Sequence, residues 1–147
     1  MFRRLLGLVA VAALLVATGW SAPAAGAEDI AAQAFEIDLD VQHGQTVELE
    51  NGAFQITFVD VQEDSRCPKD VLCVWQGQAI TTKHVVADGT DHGDISLSLL
   101  ALAPTGASPT VTLGAYTLRL DYLAPYQSAS QPTPHEQYMA TVHVQRS

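Results

Sequence analysis

Phe35-Glu36-Ile37-Asp38-Leu39-Asp40-Val41 alternates apolar and acidic residues without a break. A period of two puts the apolar set on one face of an extended chain and the carboxylates on the other, the pattern of a strand half buried against a core. The same alternation returns along the chain. After a turn at His43-Gly44, Val47 and Leu49 alternate with Thr46 and Glu48, and Asn51-Gly52 suits the positive φ angles of a tight hairpin. Phe54, Ile56 and Phe58 share one parity and Val59 and Val61 the other, a slip that a β-bulge near Phe58 and Val59 would absorb. A strand over residues 74–86 is rich in Thr, Val and Ile but alternates poorly, and Gly77 interrupts it. Ile95, Leu97 and Leu99 mark another strand, Val111 and Leu113 a short one, and Tyr116, Leu118, Leu120 and Tyr122 the next. Tyr138, Ala140, Val142 and Val144 mark the last. With turn signals between these segments and no run of helical period, the sequence predicts an all-β fold of about seven to eight strands. An antiparallel β-sandwich of Ig-like or Greek-key type is expected in preference to a barrel, because the Pro- and Gln-rich link over residues 124–136 is long enough to cross between sheets.

The ends and totals bound the rest. Arg3 and Arg4, an apolar run over residues 5–17 and the small residues Ala25-Gly26-Ala27 read as a cleaved signal peptide over residues 1–27, which leaves one domain over residues 28–147. The apolar run is shorter than the roughly 20 residues a bilayer-spanning helix needs, and no cysteine stands near the cut for acylation. Secretion, or a periplasmic or other extracytoplasmic location, is expected, without membrane insertion after cleavage. Sixteen acidic residues oppose seven basic ones, two of them in the leader, for a formal net charge of −9. Nucleic acid and anionic lipid are poor partners for such a chain, since both are held by Lys and Arg. A monomer is expected.

The densest chemistry lies in residues 63–79, EDSRCPKDVLCVWQGQA. Cys67 and Cys73, six positions apart in an exported chain, are expected to close a small structural disulfide loop with Pro68 inside it. So short a ring contributes roughly 2 to 2.5 kcal/mol on the chain-entropy account. A redox pair would usually have a two-residue spacer at a helix N-terminus. Trp75 is expected to pack against the disulfide, with Gly77 allowing a close approach; the alternative is an exposed ring that stacks on a sugar or anchors a partner. Arg66 and Lys69, beside Glu63, Asp64 and Asp70, are expected to form local ion pairs. With Trp75 and Tyr126 they are the candidate binding residues.

Asp88, Asp91 and Asp94, with His92, lie close together in a glycine-punctuated loop and make a weak calcium candidate, although their order fits no standard calcium loop. His43, His84, His135 and His143 lack the spacing of a zinc site. No nucleophile elbow or defined carboxylate pair is present, so no catalytic residue and no cofactor is assigned.

Asp64-Ser65-Arg66-Cys67-Pro68, followed by Cys73-Val74-Trp75-Gln76-Gly77-Gln78-Ala79, resembles the SRCP and CxWxG signature of small bacterial exported proteins and lipoproteins of unknown function. The likeness extends loosely to Gly114-Ala115-Tyr116-Thr117-Leu118 and to the strand at Tyr138. It implies a compact extracytoplasmic β-domain with a disulfide corner and transfers no activity. Three functions are therefore carried forward: a secreted, non-enzymatic domain that binds a protein or cell-envelope component through its loops; a protease inhibitor that presents the disulfide corner together with the link over residues 125–134; and a calcium- or carbohydrate-binding module.

Overall fold

A computed structural model describes residues 33–101 and 106–147. The expected signal segment lies outside these residues. Eight strands follow in order: β1 (Phe35–Gln42), β2 (Thr46–Leu49), β3 (Phe54–Asp64), β4 (Ala79–Ala87), β5 (Thr90–Ser98), β6 (Thr110–Leu113), β7 (Tyr116–Ala124) and β8 (Met139–Arg146). Among the described residues the only helical turns are two short 3-10 turns, Glu50–Gly52 and His135–Gln137. None is long and apolar enough to cross a membrane.

The strands make two four-stranded antiparallel sheets, β1-β8-β7-β6 and β2-β3-β4-β5, and the expected sandwich is present. Neighbours follow chain order within each sheet except where β1 pairs with β8, which sets the first strand beside the β6-β7-β8 hairpins in the Greek-key manner. Because β7 and β8 are paired with each other, the link after β7 stays with its own sheet instead of crossing. One crossing falls to the turn after β1, where Gly44, at φ 77°, donates its N–H to the Phe58 carbonyl at 2.7 Å. The other joins β5 to β6, where the Ser98 N–H bonds the Ser108 carbonyl.

The core lies between the inner faces. Leu39 and Val41 from β1, Phe54, Ile56 and Phe58 from β3, Leu97 from β5, and Leu118, Val142 and Val144 from β7 and β8 are all buried within it. The parity slip in β3 is a real irregularity: its register against β4 shifts between Phe58 and Asp60, which leaves Val59 outside and returns Val61 to the core. A similar shift between Leu120 and Tyr122 turns Tyr122 outward, against expectation, and brings Leu123 in. β4 begins at Ala79 instead of Val74.

Two inward positions of β4, Thr81 and Lys83, are not apolar. Lys83 is completely buried, and its Nζ has no hydrogen-bond partner and stands 3.3 Å from the centre of the Phe58 ring. A ring face attracts an ammonium by about 2 kcal/mol, whereas taking the charge out of water costs several. Desolvation wins: burial pushes the Lys83 amine down to about 6, so at neutral pH it is held uncharged.

Candidate functional site: the disulfide loop

Asp64 and Ala79 form the last pair of the β3–β4 ladder, and the chain between them makes a long excursion over residues 65–78. Its neck is closed by the Ser65 N–H donating to the Gln78 carbonyl at 2.7 Å and the Gln78 N–H donating to Ser65 Oγ at 3.1 Å. Gly77 fits here because its φ is +65° and a Cβ would lie 1.8 Å from the Ser65 carbonyl oxygen. The close approach anticipated at this glycine is thus made by the neck itself.

Arg66 turns inward at the base. Its guanidinium makes a two-pronged pair with the Asp64 carboxylate, 2.7 Å from Nε to Oδ1 and 2.7 Å from Nη2 to Oδ2. It also donates to the carbonyls of Leu123 and Pro125 and lies 4.2 Å from the centre of the Tyr126 ring. Both charged side chains are almost fully buried. Burial works to raise the Asp64 carboxyl, but the hydrogen bonds from Arg66 and Tyr138 outweigh it and hold the group below the usual carboxylate range. Arg66 therefore acts as a strut, and the local ion pair expected with Asp64 is a buried one.

Beyond the strut, Cys67 and Cys73 are joined, with their Cα atoms 5.8 Å apart. The ring is fastened to the β7–β8 link at three points. The Lys69 N–H donates to the Gln127 carbonyl at 3.0 Å, and the Asp70 carboxylate accepts from Ser128 Oγ at 2.7 Å and the Ala129 N–H at 2.8 Å. The Ala129 N–H, then the Ser128 hydroxyl, hold the Asp70 carboxyl below its ordinary value. The disulfide corner and the Pro-rich link thus form one surface. The Lys69 side chain remains exposed.

With its base and ring so tied, the far side of the loop faces solvent throughout residues 71–76. Leu72 and Val74 are as open as in an extended chain, at 103% and 92% exposure, and Trp75 is 70% exposed. This corrects the expectation that Trp75 packs against the disulfide: the indole stands mostly in solvent, while the core holds Leu123 and Tyr138 buried without it. Beside the loop a groove of about 370 Å³ runs between Arg66, Gln76, Gln78, Leu99, Asp121, Tyr122 and Tyr126. Tyr122 and Tyr126 stand 6.3 Å apart and are both half exposed.

The calcium candidate does not assemble. Asp88 and Gly89 form a two-residue turn, both at positive φ, and Asp91 and Asp94 already belong to β5. These two flank His84, at 3.2 Å and 2.9 Å, while Asp88 points to Arg146 and Tyr116 at 3.5 Å. The histidines, scattered in sequence, converge elsewhere. His43 and His135 meet at Asp60, and His143 meets Glu36 and Asp38. No local spacing announces either cluster.

No family model matches this chain, and searches of curated proteins and of solved structures return no significant match.

Proposed function

We propose that the chain is an exported, non-enzymatic domain that binds a protein or cell-envelope component through the tip of loop 65–78. The observation that carries this reading is the exposure of Leu72, Val74 and Trp75 on one disulfide-closed loop. Fully burying a Leu or Val side chain stabilises a complex by about 1.5–3 kcal/mol, and an indole is among the commonest anchors of interface energy. A braced loop also has less freedom to lose on binding than a slack one. The leader over residues 1–27 and the disulfide both support export.

Trp75 is the only tryptophan after residue 20, so its emission reports contact at the tip. Titration with a detergent extract of the producing cell's envelope should shift that emission to the blue, and cross-linking should capture a partner that a Leu72→Ser/Trp75→Ser double variant holds at least tenfold less well. Equal capture by both proteins would move the contact surface away from the loop.

The inhibitor reading is favoured by one further observation, the fastening of Asp70 to Ser128 and Ala129, which presents the loop and the Pro-rich link side by side. A stable complex with a papain-like or serine protease would support it. Unhindered substrate turnover in the presence of micromolar protein would sink it.

A further inference from the structure

His43, Asp60 and His135 come from three separate parts of the chain and bring their donor atoms within 4.8 Å of one another. Each is held from behind. The His43 N–H donates to the Tyr138 carbonyl at 2.9 Å, and its imidazole lies edge-on to the buried Phe58 ring, 5.6 Å between centres. Asp60 stands at the register shift of β3, which turns its side chain out, and its Oδ1 accepts the Val61 N–H at 2.8 Å. His135 opens the 3-10 turn directly after Pro134 and lies edge-on to Tyr138, with ring centres 6.4 Å apart. The two imidazoles lie edge-on to each other, with ring centres 6.0 Å apart.

We propose that His43, Asp60 and His135 form a site for one divalent transition-metal ion of the zinc or copper class, with its remaining positions open to solvent. Asp60 Oδ1 lies 3.8 Å from His43 Nε2 and 2.7 Å from His135 Nδ1. Ligands about 2.0–2.1 Å from a tetrahedral metal stand roughly 3.3–3.4 Å apart. The two separations to Asp60 straddle that spacing by about half an ångström, and the two imidazole nitrogens lie within 4.8 Å of each other. The shorter one is a hydrogen bond, whose proton a bound metal would replace. Two imidazole nitrogens and one carboxylate favour zinc or copper over calcium and magnesium, which prefer all-oxygen shells.

The second cluster, Asp38, Asp121 and His143, provides a contrast. There Arg119 already neutralises Asp121 through two hydrogen bonds, so the charge a metal would bring is supplied by the protein. Asp60 has no Arg or Lys partner among the described residues; its ion-pair partners are His43 and His135.

The test is calorimetric titration of the untagged, metal-stripped protein with zinc sulfate and with copper sulfate, with calcium chloride as the control. The site predicts one ion per chain, a higher melting temperature with zinc or copper, no response to calcium, and at least a tenfold weaker affinity in His135→Ala and in Asp60→Asn. His135 is exposed on a turn, so its variant keeps the test sound should a change at His43 impair folding. Undiminished binding by His135→Ala, or an equal loss in His143→Ala, would overturn the proposal.

Discussion

The interior of the sandwich and the tip of the disulfide loop invert the usual placement of side chains in opposite senses. Lys83 has its amine wholly inside without a partner, whereas Leu72 and Val74 have their whole side chains outside. Both arrangements cost stability relative to the reverse, yet they are sustained differently. The lysine is tolerated because the sheets around it are complete and it can shed its charge. The apolar tip exists because Gly77, the Arg66–Asp64 pair and the disulfide fix the loop from below, so that nothing requires the tip to fold back. Departures from the inside-out rule are informative when the surrounding structure holds them in place.

The sharpest way to break that comparison is Lys83→Met. Folded Lys83 loses its proton near pH 6 and the unfolded residue near 10.5. Between those values the unfolded chain binds more protons, and stability rises with pH. At pH 7 the deficit is roughly 5 kcal/mol. Denaturant titrations of Lys83→Met should show a gain approaching that size at pH 7 and a much flatter dependence between pH 6 and 10.5. A less stable variant would mean that the amine does structural service inside. Next in size is Arg66→Ala, which strands the buried Asp64 carboxylate and two carbonyls and should destabilise by roughly 3 kcal/mol. Arg66→Lys should recover only part, because an ammonium cannot grip both oxygens. Since Asp64 is held below its ordinary value, the stability it contributes is present at neutral pH and lost as pH falls below about 3.8. An unaltered chemical-denaturation midpoint in Arg66→Ala would show that the loop stands without its strut. The smallest expected effect belongs to Trp75→Ser, which should stay within about 0.5 kcal/mol of the parent while weakening partner capture. A large loss of stability there would place the indole against the fold after all.

Much of this frame is legible in the sequence. The alternation of residues 35–41 and 138–144 marks β1 and β8, which prove to be direct neighbours, and the parity slip near Phe58 foretells the register shift. Residues 74–86 were harder, because the β-forming Val74 and Trp75 continue the pattern of β4 across a loop that only the neck and the Gly77 backbone keep out of the sheet. The poor alternation noticed there had a cause: Thr81 and Lys83 occupy inward positions that pattern reading reserves for apolar residues. Order among the strands left no local trace. The His43–Asp60–His135 cluster was invisible for the same reason, since its members meet only once β3, the turn after β1 and the end of the β7–β8 link have been brought together.

The neck between Ser65 and Gln78 makes the loop a removable cartridge. Its two ends leave and re-enter the sheet side by side, with Ser65, Gln78 and Gly77 as the socket and Asp64 with Arg66 as the latch beneath it. The residues around Cys73 in this span can therefore diverge or be replaced without disturbing a core position. A chain built in this way can change its tip while keeping one frame.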